Sequence, residues 1–108
     1  MGIERRRSPR FRLTATADIV DPLSHAHING RTSDVSLVGC FINTTYSLPA
    51  GTKIDLQLTH EGTTFAASGA VARSEPSMGF GVNFVNLKGA QQELLQGWLT
   101  QTKDHPSS

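Results

Sequence analysis

Apolar side chains recur at every second position along most of this 108-residue chain, in short runs broken by turn-forming residues. A period of two is the repeat of a half-buried β-strand, and it constrains the fold more than any other feature. Phe11, Leu13, Ala15, Ala17 and Ile19 share one face, with Arg10, Arg12, Thr14, Thr16 and Asp18 on the other. Asp21-Pro22 ends this run, a polar loop passes through His25 and His27, and Asn29-Gly30 reads as a turn. The spacing predicts a second strand over Arg31 to Leu37, with Val35 and Leu37 facing one way and Asp34 and Ser36 the other. Gly39 marks a bend, a bulge or a close approach, and a short third strand covers Phe41 to Thr45. After a turn at Pro49-Ala50-Gly51, Ile54, Leu56 and Leu58 alternate with Lys53, Asp55, Gln57 and Thr59. His60-Glu61-Gly62 is read as a hairpin loop, followed by a strand carrying Phe65, Ala67, Gly69 and Val71 and ending near Arg73. Glu75-Pro76-Ser77 turns the chain into a sixth strand with Met78, Phe80, Val82 and Phe84 on one face. Gly79 and Gly81 on its other face leave room for a neighbouring backbone.

Past Asn86 the period changes. Leu94, Leu95, Trp98 and Leu99 recur at helical spacing with glutamines between them, predicting an amphipathic helix from about Gly89 to Thr102. Trp98 is expected in the seam of that helix. Gly97 inside it costs about 1 kcal/mol relative to alanine, so tertiary packing must hold the helix. The expected fold is all-β: a six-stranded antiparallel β-barrel with a C-terminal α-helix over one opening or flank. The expected organisation is a flexible basic arm over residues 1–10, the barrel and helix over 11–103, and a polar tail over 104–108.

Bulk properties narrow the function. The length suits one domain with one core. A formal net charge of +1 argues against a general nucleic-acid coater. The single cysteine, Cys40, lies in an apolar run and reads as an inert core thiol. No apolar run reaches the length of a membrane span, and the charged N-terminus has no apolar segment after it. A soluble, cytoplasmic protein is expected. His25, His27, His60 and His105 are read as solvated loop or tail histidines. No metal-ligand spacing, phosphate loop or nucleophile with a base partner is evident, so no catalytic residue and no metal site are assigned.

The basic charge is local. Arg5-Arg6-Arg7-Ser8-Pro9-Arg10-Phe11-Arg12 holds five of the ten basic residues, a density that repels itself unless an anion relieves it. Pro9 disfavours helix at Ser8, so the segment reads as an extended arm. Guanidinium groups offer bidentate donors that match phosphate oxygens or the O6/N7 edge of guanine. Asp34 supplies the complement, since a carboxylate accepts from the N1 and N2 donors of guanine. Ser36 can serve a base or a phosphate, and Gly39 lets a flat base approach the backbone.

Arg6-x-x-x-Arg10 followed by Asp34-x-Ser36-x-x-Gly39 resembles the two-part signature of PilZ domains, receptors for the bacterial second messenger cyclic di-GMP. The resemblance extends over the Glu4-Arg5-Arg6-Arg7 lead-in, Gly69-x-Val71-x-Arg73, Gly79-Phe80-Gly81-Val82-x-Phe84 and the C-terminal helix. It implies a non-catalytic receptor that binds cyclic di-GMP on the outer surface of the barrel. Arg6 and Arg10 would hold guanine edges and phosphates, Asp34 and Ser36 would read guanine, and Gly39 would permit close stacking. Arg5, directly before the first motif arginine, resembles the class that binds two intercalated ligand molecules. Arg7 and Arg73 are secondary candidates outside the motif. Arm closure would signal to a downstream protein partner. Two other readings compete: a nucleic-acid or anionic-surface binder using the arm, and a ligand-free interaction adaptor. An acidic Asp34 beside the site disfavours the first, and the intact motifs disfavour the second.

Overall fold

The computed structural model describes residues 9–46 and 48–103. It contains β1 (Phe11–Arg12), β2 (Thr16–Val20), β3 (His27–Val35), β4 (Gly39–Asn43), β5 (Lys53–His60), β6 (Thr63–Glu75), β7 (Gly79–Val85) and α1 (Gly89–Lys103). All pairings are antiparallel. β2 lies between β3 and β5, β3 also pairs β4, β4 pairs β7, β7 pairs β6 and β6 pairs β5. That circuit closes six strands into the expected barrel, and closure leaves those strands no open edge. The short β1 adds to β3 from outside the circuit.

The alternating residues fill the interior. Ala17, Ile19, Val35, Ile42, Leu58, Phe65 and Phe80 have no exposed area, and Leu95, Trp98 and Leu99 of α1 pack against the same core. Phe65 meets Phe84 at 5.2 Å between ring centres and Trp98 at 6.1 Å, so the helix seam joins the barrel core through aromatic contacts.

Several local expectations are corrected. The run from Phe11 to Ile19 keeps its alternation but is not one strand: β1 pairs with Val35 and Asp34, β2 with His27 to Arg31. The gap between them is closed by Thr32. Its hydroxyl donates to Leu13 O at 2.6 Å and accepts from Ala15 N–H at 2.8 Å, so this polar side chain is buried and satisfied. Asn29-Gly30 is no turn; it lies inside β3. The chain reverses earlier, at Asp21 to Ala26, where Asp21 N–H donates to Ala26 O at 3.0 Å. Asp21 Oδ1 also accepts from Leu23 N–H at 2.9 Å, and that bond holds the carboxyl below its usual range. Gly30 instead serves strand packing, since a β-carbon there would lie 2.6 Å from Asn43 O. Met78 precedes β7 and is exposed at 58%. The Glu61-Gly62 turn has φ of 51° and 80°, the two positive angles that a two-residue type I′ hairpin needs.

Two bulges interrupt the pairing. Thr32 and Asp34 of β3 oppose the consecutive residues Ile42 and Phe41, leaving Ser33 extra. Val71 and Arg73 of β6 oppose Val82 and Gly81, leaving Ala72 extra. An extra residue shifts the face of everything after it. Asp34 would otherwise share the inner face of buried Thr32, and Arg73 that of buried Val71. Both charged side chains are turned outward by a bulge.

Candidate functional site

The register lines up one row of residues across the outer wall. Arg12 of β1 opposes Asp34 of β3, Asp34 opposes Phe41 of β4, Phe41 opposes Gly81 of β7, and Gly81 opposes Arg73 of β6. All five face away from the core. Arg10, just before β1, reaches onto this row and its Nη1 donates to Asp34 Oδ1 at 2.9 Å. The Arg10 side chain is 62% exposed and the Asp34 side chain 31%, so the pair sits in solvent's reach and either partner can exchange. Beside it an open groove of about 680 Å³ is lined by Arg12, Thr14, Arg31, Ser33, Asp34 and Asn43 among others. Three arginines around one accessible carboxylate make a positive surface with a single negative charge in it. That combination suits an anion that also carries hydrogen-bond donors.

Asp34 and Arg10 are thus brought together from positions 24 residues apart. Ser36 lies beyond the end of β3, in the turn to β4, and is only 3% exposed. Its Oγ accepts from Val38 N–H at 3.1 Å and Gly39 N–H at 3.2 Å and donates to Gly39 O at 3.3 Å. The hydroxyl therefore shapes the turn that carries Asp34 and does not lie on the open strand face. Gly39 is likewise buried, and the close approach it permits is that of β7: a β-carbon would lie 2.1 Å from Val82 O. Arg73 stands at the far end of the row, its Nε 3.3 Å from Glu75 Oε2. Arg5, Arg6 and Arg7 lie outside the described residues.

Cys40 is 4% exposed, next to the row but facing inward. Burial, with the Asp34 carboxylate adding and Arg10 opposing, pushes its thiol up to about 12, so it holds its proton at neutral pH and is no nucleophile. His60 departs from the solvated reading. Its side chain is 21% exposed, its ring meets Trp98 edge-on at 5.3 Å, and Nδ1 lies 3.2 Å from Thr14 O. A carbonyl only accepts, so Nδ1 carries the hydrogen there. The histidine ties the segment between β1 and β2 to α1. His27 begins β3, with Nδ1 3.5 Å from Asp18 Oδ1; His105 lies outside the described residues. Among the described residues no three metal-capable side chains gather, and no helix is long and apolar enough to cross a membrane. A second groove, of about 470 Å³, lies where Leu87, Lys88 and Gln91 cover Asp18, His27 and Asp55. Its walls hold two carboxylates, the reverse of the charge on the row.

The outward row on a closed six-stranded barrel with a terminal helix defines a class of small β-barrel domain. The family model for the PilZ domain matches residues 4–101, and the chain belongs to that family. No curated protein matches it in sequence. Among solved structures it is similar to the inhibitor of motility MotI/DgrA of Bacillus subtilis, at 14% identity and a TM-score of 0.80, covering 96% of this chain and 53% of that one. It is also similar to the PilZ domain with c-di-GMP of YcgR from Escherichia coli, at 13% identity and a TM-score of 0.76, covering 94% of this chain and 93% of that one. YcgR in complex with c-di-GMP aligns at 15% identity and a TM-score of 0.80, over 94% of this chain and 47% of that one. At these identities the likeness speaks for the fold. The chain spans about half the length of MotI and of the longer YcgR structure.

Proposed function

We propose that this domain is a non-catalytic receptor for cyclic di-GMP, bound on the outer wall between the N-terminal arginine arm and the row through Asp34. The observation that carries the reading is the 2.9 Å pair between Arg10 and Asp34, which joins the two halves of the motif at one solvent-accessible point. Membership of the PilZ family supports it, as do similar structures that hold this ligand. Arg10, with Arg5 and Arg6, meets guanine edges and phosphates, and Arg7 and Arg73 add charge at the margins. Asp34 exchanges Arg10 for the N1 and N2 donors of a guanine. Ser36 and Gly39 act through the turn that holds Asp34 in place. Ligand binding changes the conformation of the arm, and a partner protein reads that change. Arg5 before the motif favours two intercalated ligand molecules per site, because the added phosphates need added positive charge. The site of action is the cytoplasm.

Calorimetric titration with cyclic di-GMP, beside GMP, tests this on the wild type, Arg10→Ala and Asp34→Ala. The expected result is binding that prefers the cyclic dinucleotide, with the stoichiometry reporting one ligand or two. Each variant is expected to bind roughly 10- to 100-fold more weakly, the range for losing a charged hydrogen bond. A folded wild type that gives no heat with cyclic di-GMP overturns the receptor reading. Binding that falls steeply with salt and ignores guanine would instead mark a surface for anionic polymers.

A further inference from the structure

The row continues past the residues that the two motifs supply. Cys40 and Ile42, on either side of Phe41, are exposed at only 4% and 0%. Phe41 therefore stands on the outer wall, half-buried, between a carboxylate and a glycine. Placed in a row of charges on the outer wall, that half-buried ring can offer a π face to a flat ligand. Its neighbour Gly81 is not required by the fold. Gly81 has none of the positive φ of Gly79, and a β-carbon built there meets Phe41 Cδ1 and Arg73 Cγ at 3.8 Å, an ordinary contact. The missing side chain opens a slot with the Phe41 ring as one wall and Arg73 at its far side.

The bulges frame this slot. Ser33 turns Asp34 onto the row from one side, and Ala72 turns Arg73 onto it from the other. Two independent breaks in pairing thus aim opposite charges at the same aromatic and the same empty position. Bulges re-aim side chains in this way beside binding sites. Neighbouring strands lie about 4.8 Å apart, so a base stacked on Phe41 has its edge one strand spacing from Asp34. The Arg73 backbone is two strand spacings from that of Phe41 on the other side, about 10 Å, and its side chain reaches back toward Gly81, in the direction in which a ribose and phosphate leave a base held by Asp34. The Arg73 side chain is 67% exposed in its pair with Glu75 and can exchange that partner for a phosphate at little cost.

We propose that Phe41, beside the gap at Gly81, is the stacking platform for one guanine of the cyclic dinucleotide, with Arg73 meeting the phosphate at the far side of the slot. This rests on the receptor reading and names the half of the site that neither motif contains.

The test is titration of cyclic di-GMP into wild type, Phe41→Leu, Phe41→Tyr, Gly81→Val and Arg73→Gln, with the melting midpoint of each unliganded protein measured alongside. Leucine keeps apolar cover over Gly81 but removes the π face; tyrosine keeps the ring; valine suits an outward strand position but fills the slot. Phe41→Leu and Gly81→Val are expected to bind roughly tenfold or more weakly, and Phe41→Tyr to stay within about twofold of wild type, as loss and retention of a base–aromatic stack demand. Arg73→Gln is expected to weaken binding and to flatten its salt dependence. Gly81→Ala replaces Gly81→Val if the latter melts early. If Phe41→Leu and Gly81→Val bind like wild type while Asp34→Ala has lost binding, the receptor reading stands and the platform is overturned; Phe41 is then only packing cover for a strand glycine. If wild type itself does not bind, both fall together.

Discussion

Gly39, Gly79 and Gly81 lie on two neighbouring strands, yet they answer to different constraints. A β-carbon at Gly39 would lie 2.1 Å from Val82 O, and one at Gly79 would lie 1.8 Å from Ile42 O at a φ of 138°. Both permit strand backbones to approach, so the motif glycine is explained by the barrel before any ligand is considered. Gly81 has room. Gly39→Ala is therefore expected to lower stability in urea unfolding by about 1–3 kcal/mol, the range for forced overpacking. Gly81→Ala is expected to change it by less than about 0.5 kcal/mol. Equal losses at the two positions would mean that the wall around Gly81 is as tight as that around Gly39. Ser36 teaches the same lesson: its spacing from Asp34 is readable in the chain, but its hydroxyl turns out to be spent on Val38 and Gly39 amides.

At the scale of elements, the strands were legible wherever alternation ran unbroken, as over Ile54, Leu56 and Leu58 in β5. They were misread where pairing partners change. The split between β1 and β2 follows from Thr32 reaching across from β3, a partner 17 residues from Ala15. Asn29-Gly30 carries a turn signature but is overridden by Asn43 on the neighbouring strand, whose carbonyl needs the space. The helix was legible from its seam: Leu95, Trp98 and Leu99 are buried and Gly97 is exposed. Gln91, one turn before Leu95, also anchors α1 by accepting from Ala66 N–H at 2.8 Å. A β-carbon at Gly97 would meet nothing within 4 Å. Gly97→Ala is accordingly expected to stabilise the domain by about 1 kcal/mol, read as a raised urea midpoint at unchanged slope. A fall in midpoint would show that the exposed side of the last turns is packed in solution.

The whole molecule couples its core to pH through Cys40. Burial raises the folded thiol from its ordinary value of 9.0 to about 12. As pH rises, the unfolded chain loses this proton first and so binds fewer protons than the native state. The thiol's contribution is complete below about pH 9 and is lost as the pH climbs from 9 toward 12. Melting midpoints of wild type should fall through that window more steeply than those of Cys40→Ala, which lacks the group. Parallel curves would show that the thiol ionises in the folded protein without penalty.

Composition, alternation and turn residues determined by themselves that this chain closes a small barrel under a helix, and that its unusual chemistry lies in an arginine run and one aspartate. Those are local properties, set by the period of a strand and by charge spacing, and they survive without knowledge of partners. Only the tertiary structure decided which outward residues stand together. Asp34, Phe41, Gly81 and Arg73 come from four strands, and two bulges choose their faces. A bulge depends on how a strand meets its neighbour rather than on the strand's own pattern: alternation over Arg31 to Leu37 sets Asp34 outward but puts buried Thr32 on the same face, and alternation continued from Val71 puts Arg73 on the wrong side of the wall. Phe41 sits in an apolar run without clear alternation, and only the burial of Cys40 and Ile42 on either side reveals that its ring faces out.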